Sequence, residues 1–356
     1  MIVALLAPIL AARAPVETRP PLPLYREVRD VRGLLRAAAS VGSRGGTIVL
    51  LPGEYVLERP LLFQGVSRLV LRGSGWSTVI RRKGEGDAIV FVGDCWSCSI
   101  RHLAVEGDPD AKKGSGVVFR DGGWSGICVI DECHIRGFAE SGIRFEGNPE
   151  KPFSSNTVSR CWLTDNRGDQ LYSRANNDFF FVQNQFGAGA KIVPHSGAWL
   201  DRSSAGTYTL NYHWGNEVAL RVGPAAHYNR IQNNRFEQSR RSGILIGDPG
   251  GGGPCVFNIL TGNTIHTNSE HNLGQYDAVA AFDALETTFC LNQIFSWDSA
   301  RQRHRSGLVL GRGCRRWIVK DNIVRHCTAA PIAYATDAEH LVRDNLTDAS
   351  SPGTGP

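Results

Sequence analysis

Apolar and polar positions along the chain follow a repeating frame. An apolar residue, two variable residues, an Asn, one variable residue and a further apolar residue occur as Ile231-x-x-Asn234-x-Phe236, Leu260-x-x-Asn263-x-Ile265 and Phe289-x-x-Asn292-x-Ile294. Cys133, Cys161, Asn184, Asn211, Asn322 and Asn345 hold the Asn position in less regular copies, and Leu103 and Gly73 carry the register backwards. Successive anchors are 23 to 30 residues apart. A period in this range is the mark of a solenoid. Each period also carries a Gly-apolar-x-apolar motif, as in Gly116-Val117-Val118-Phe119, Gly142-Ile143-Arg144-Phe145, Gly243-Ile244-Leu245-Ile246 and Gly307-Leu308-Val309-Leu310. Strand alternation turns the first and third apolar residues inwards and the residue between them outwards. Short strands stacked once per period describe a parallel β-helix. The Asn positions then fall in turns, where Asn tolerates left-handed backbone and its side chain can bond neighbouring turns.

The two ends read differently. Residues 1–14 carry the apolar run Ile2 to Leu10 followed by Ala-Arg-Ala, the pattern of a secretory signal, so a secreted or periplasmic protein is expected. Pro-rich residues 15–24 read as a linker. Val31 to Ser43 places Leu34, Leu35, Ala38 and Ala39 at helical spacing, which predicts one amphipathic helix capping the open end of the solenoid. The β-helix domain is expected over residues 25–347, with 348–356 as a flexible tail.

The 356 residues carry a net charge of +5, and the only lysines are Lys83, Lys112, Lys113, Lys151, Lys191 and Lys320. No basic run with interleaved aromatics is present, which argues against nucleic acid, and the apolar N-terminal run is too short to span a membrane. The small positive balance suits an acidic polymer. The chain can be a monomer or a homo-oligomer on these grounds. Nine cysteines are an odd number, so a fully paired disulfide framework is excluded. Cys133 and Cys161 share a repeat position and should stack as small buried residues. Cys95-x-x-Cys98 lacks the second pair of a zinc site.

The helix, the segment Thr47-Ile-Val-Leu-Leu-Pro-Gly-Glu-Tyr-Val56, the segment Leu69-Val-Leu-Arg-Gly-Ser-Gly75 and the Asn repeats together resemble the pectate-lyase-like superfamily of right-handed parallel β-helices, over about residues 25 to 347. The resemblance implies an all-β right-handed solenoid. It does not choose a chemistry, since that superfamily holds lyases, hydrolases, epimerases and non-enzymes. Asn216-Glu217-x-x-x-Arg221-x-Gly223 followed by Asn234-x-Phe236-Glu237 is similar to the chondroitinase B and alginate lyase family, which implies a lysine base, an arginine and a calcium ion. No lysine lies between Lys191 and Lys320, so the base would have to differ. Glu217 and Glu237 are the residues a Ca2+ ion would use. No other cofactor is expected.

Aligning the Gly-apolar strands places Glu146, Ser173, Asp201, Arg221, Gly247 and Asp283 in one outward column. Arg144, Leu171, Trp199, Ala219, Leu245 and Val309 form a second. Asp201 and Arg221 then become neighbours. The densest run of reactive side chains, Lys191 to Arg221, supplies the candidate catalytic residues Asp201, Glu217, Arg221 and His213. Trp199, Tyr172, Glu146 and His195 are candidate substrate contacts, Trp199 as a stacking platform. Asp169 reads as a turn former. A lyase needs a cation on the uronate carboxylate, here Arg221, and a base for the C5 proton, His213, Tyr172 or an arginine. A hydrolase needs two carboxylates at set spacing, Asp201 with Glu217 or Glu146 with Asp201. The expected function is a polysaccharide lyase acting on an acidic glycan, with a glycoside hydrolase or glycosyl-transferring enzyme and a non-catalytic glycan-binding or structural protein as the alternatives.

Overall fold

The computed structural model describes residues 24–122, 125–189, 192–298 and 304–348. The signal-like segment, nearly all of the Pro-rich stretch and the tail beyond Asp348 lie outside them. The chain winds through about 11 turns of a parallel β-helix. Each turn lays one strand on each of three parallel sheets of 13, 12 and 11 strands, here called the first, second and third in the order the chain visits them. The helix runs over Val31–Ser40, begun by the Asp30 side chain accepting from the Gly33 amide at 2.7 Å. Its buried face, Leu34, Ala37 and Ala38, joins the core beside the opening strands. None of the described helices is long and apolar enough to cross a membrane.

Inward positions form files along the axis. Phe63, Phe91, Phe119 and Phe145 stack with ring centroids 5.1, 4.5 and 5.2 Å apart. Cys133 and Cys161 are buried as small residues, in the file that the repeat assigned to them.

The asparagines occupy the corner between the first and second sheets, and they face inwards. Asn184, Asn211, Asn234, Asn263, Asn292, Asn322 and Asn345 form one ladder, in which each backbone N–H donates to the next Asn Oδ1 at 2.9–3.0 Å. Each Nδ2 that would otherwise be stranded donates to a carbonyl of the preceding strand, as Asn263 does to Ile231 at 2.9 Å. A buried amide is tolerable only when its groups are paired in this way. The left-handed backbone expected at the Asn belongs to the residue before it: Arg160, Gln183, Leu210, Asn233, Leu291, Asp321 and Asp344 all have φ between 50° and 58°. These residues point outwards, and the turn reverses through them. Apart from the early coil in which Leu69–Arg72 leads to Thr78–Arg82, this corner spans two residues, as between Thr157–Ser159 and Trp162–Thr164 or between Arg230–Gln232 and Arg235–Glu237.

Candidate functional site

The outer face of the third sheet gathers most of the candidate residues. Four neighbouring strands build it: Ile143–Glu146, Asp169–Arg174, Ser196–Asp201 and Val218–Val222. Their register pairs Arg144 with Tyr172, Tyr172 with Trp199 and Trp199 with Arg221. A second column, two residues further on, pairs Glu146 with Arg174 and Arg174 with Asp201.

The two columns differ from those expected. Val218–Val222 is shifted by two residues, which keeps inside and outside unchanged, so its alternation could not reveal the slip. Arg221 therefore sits beside Trp199, and Asp201 and Arg221 are not lateral neighbours. Asp169–Arg174 is shifted by one, which exchanges its faces: Tyr172 points outwards while Leu171 and Ser173 are fully buried.

The centre of the face is a chain of three polar groups. Asp169, with its side chain only 9% exposed, accepts from His195 Nδ1 at 3.0 Å and from the Ser196 hydroxyl. His195 Nε2 lies 2.8 Å from Arg221 Nη1. A guanidinium only donates, so Nε2 is the acceptor, and Nδ1–H donates to Asp169. The network thus sets the His195 tautomer, with Nε2 turned to Arg221, on a side chain that is half exposed. Arg221 lies 4.4 Å over the Trp199 ring. No carboxylate among the described residues comes within 4.0 Å of its guanidinium. Burial lowers its pKa from the ordinary arginine value, with Asp169 and Asp248 opposing that shift.

Trp199 is held by its own Nε1, which donates to the Gly223 carbonyl at 2.9 Å. Tyr172 meets it edge to face at 5.3 Å, and the Tyr172 hydroxyl donates to Asp201 at 2.8 Å. Burial first, and the Asp201 charge second, push the Tyr172 phenol well above its usual range, so it keeps its proton. Arg144 sits 4.8 Å over the Tyr172 ring and pairs with Glu146.

The remaining candidates lie elsewhere. His213 is fully buried inside the coil, bonded to the Tyr208 hydroxyl at 2.6 Å, and burial pushes its pKa down to about 3. It cannot reach a substrate. Glu217 flanks His195 at the start of its strand, because Ser196 pairs with Val218. Asp201 is at the opposite end, six residues along, which is roughly 20 Å of strand. The pair therefore misses the spacing of a glycosidase. Glu237 is buried on the second sheet and is committed to Arg235 at 2.8 Å, His266 at 2.8 Å and the Tyr212 hydroxyl. Burial opposes these bonds, but together they hold its pKa below the ordinary carboxylate value. It has no free face to share a calcium ion with Glu217. Among the described residues no group of three or more His, Cys, Asp or Glu is arranged to hold a metal ion.

Asp169 is the residue that sequence reasoning missed. Its turn-like surroundings hid it, and the one-residue slip set it beside Gly197 in place of Ser196. Pairing Leu171 with Ala198 would have set Asp169 beside Ser196 and His195.

No family model matches the chain, and no curated protein sequence does. Among solved structures it is similar to the A-module of a mannuronan C-5 epimerase from Azotobacter vinelandii, with 15% identity over 90% of this chain and 95% of that one and a TM-score of 0.63. It is also similar to the DFA-IIIase of Arthrobacter chlorophenolicus A6, with 12% identity over 92% and 91% of the two chains and a TM-score of 0.63. The enzymatically active domain of tailspike protein 2 of bacteriophage CBA120 gives 11% identity over 85% of this chain and 48% of that one, with a TM-score of 0.65. These likenesses establish the fold as a right-handed parallel β-helix.

Proposed function

We propose that this protein is an exported enzyme that acts on an acidic polysaccharide, and that it cleaves a uronate chain by β-elimination. The single observation that carries this reading is the Asp169–His195–Arg221 chain, an imidazole beside a guanidinium that no carboxylate of the described residues answers. Loss of the proton next to a carboxylate needs both. Arg221 holds the carboxylate and stabilises the charge that spreads onto it as the proton leaves. As Arg221 turns from His195 to the substrate carboxylate, the Nε2 lone pair it engaged is released and takes the C5 proton, with Asp169 fixing the tautomer and steadying the cation that forms. The C5–H electrons become the C4–C5 double bond, the C4–O4 bond breaks, and the O4 oxygen needs a proton. Tyr172 is suited to give it, being protonated and next to Trp199, on which a sugar ring can stack. Arg221 serves the carboxylate and His195 replaces the absent lysine base.

A second reading uses the same residues. If Tyr172 returns a proton to C5 from the opposite face, the glycan is epimerised and not cut. The resemblance in fold to a mannuronan epimerase over nearly the whole of both chains favours keeping it in view. Hydrolysis is less well supported, since Asp201 and Glu217 are far apart and Glu146 is engaged by Arg144. Export rests on the apolar N-terminal run.

The test is a panel of polyuronates read for far-ultraviolet absorbance, reducing ends and C5 inversion by proton NMR. Absorbance with reducing ends marks elimination, and inversion alone marks epimerisation. His195→Ala and Arg221→Ala should each lose roughly 100-fold or more in turnover, as expected for a general base and for a charge-stabilising donor. Their thermal unfolding should match the wild type. Unchanged turnover in both variants would overturn the assignment.

A further inference from the structure

We propose that the cleft beside this site is a binding subsite for a second uronate, several positions along the chain from the one held by Arg221, with Lys151 as its specificity-determining cation. The proposal rests on the reading of Arg221 as a uronate site. The cleft is open and of roughly 670 Å³, and Asp121, Glu146, Asn148, Lys151 and Arg174 line it. It adjoins the site through two strands, since Arg174 pairs laterally with Asp201 and Glu146 pairs with Arg174.

Its charges are unevenly matched. Arg120 answers Asp121 at 3.7 Å, and Arg144 answers Glu146. Arg174 approaches Asp201 only to 3.9 Å. Lys151 has no carboxylate within 4.0 Å among the described residues. Two cations are thus left with donors to spare over a floor whose carboxylates are already engaged. A turn presents Lys151: its amide donates to the Asn148 carbonyl at 3.0 Å, and the Glu150 amide donates to the Asn148 side chain at 2.9 Å. This turn sets Lys151 in the lining of the cleft. Arg174 and Arg221 are two rungs and two residues apart, roughly 12 Å between backbone positions. That spacing is longer than one sugar ring, and a linear chain can lie across both cations.

The experiment measures binding of a mannuronate disaccharide and a mannuronate hexasaccharide by calorimetry, with galacturonate oligomers of the same lengths as a second series. In the wild type the hexasaccharide binds more tightly than the disaccharide in at least one series. Lys151→Glu should lower hexasaccharide affinity about tenfold or more, the weight of one charge-assisted hydrogen bond plus repulsion, and so collapse the difference between the two lengths. Lys320→Glu, the same charge change on the first sheet, should preserve that difference. Unchanged hexasaccharide affinity in Lys151→Glu, with the wild type binding normally, overturns the subsite and leaves the Arg221 reading standing. Failure of the wild type to bind any uronate overturns both.

Discussion

His213 lies inside the coil between Phe186 and Phe236, at ring-centroid distances of 4.6 and 5.0 Å, while His195 stands half exposed over the third sheet. Both were legible as candidates, because histidine in a run of polar and aromatic residues suggests chemistry. Their sorting was not, because it depends on which side of the coil each one faces. His213 follows Tyr212 in Tyr212–Trp214, a strand with only its middle residue buried. That alternation was readable, and the density of reactive types drew attention away from it. Its burial has a measurable effect. In the unfolded chain the imidazole titrates near 6.5, and in the folded chain near 3. Between those values only the unfolded chain takes up the proton. Stability therefore falls as pH drops from about 6.5 towards 3, by about 5 kcal/mol at most, and this group contributes no pH dependence above that window. His213→Phe keeps the ring stack and removes the titration. Denaturant midpoints measured from pH 8 to pH 4 should fall less for the variant than for the wild type. The variant should be about 1–3 kcal/mol weaker at pH 8, where Tyr208 has lost its partner. Parallel pH curves would show that His213 is not the sensitive group.

At the scale of elements, the Asn corner was the most readable feature of the chain and the third-sheet register the least. A period is visible wherever one residue type recurs at one structural position. Register is visible only to the extent that a slip changes which face is apolar. Val218-Ala-Leu-Arg-Val222 is apolar at four of five positions, so a two-residue slip costs the pattern nothing. Placement of Arg221 thus needed the structure, and so did the column that joins it to Trp199. The ladder itself can be tested link by link. Asn263 donates to Asn292 and Ile231, and accepts from both nitrogens of Asn234. Asn263→Ala strands buried partners on two coils and should cost about 3 kcal/mol in chemical denaturation. Asn345→Ala, at the partly exposed last rung, should cost under about 1 kcal/mol. Equal losses at the two positions would mean that the ladder does not share its load in this way.

The whole molecule is a stack in which each coil touches mainly its neighbours, so its stability is a sum of local terms and falls off at unprotected ends. The first coils are covered by Val31–Ser40 and by the strand Leu24–Val28. The last described coil leaves Tyr334, Leu341 and Leu346 exposed. Backbone amides of residues 332–347 should exchange with solvent well before those of the central coils, as hydrogen-exchange mass spectrometry would register. Uniform protection from end to end would instead indicate a single cooperative unit.

The two-residue corner between the first and second sheets behaves like the spine of a bound book. From the strand Ser99–Arg101 onward, coil length varies by several residues between anchors, yet none of that variation enters this corner, so it must be taken up around the other two. Pages of unequal width can then be sewn to one binding without disturbing their alignment. The third sheet lies between those two variable corners, with Pro194 and His195 entering it from one and Asn148 and Lys151 leaving it by the other. Loops flanking the candidate site can lengthen, shorten or be exchanged while the rungs beneath it stay in step.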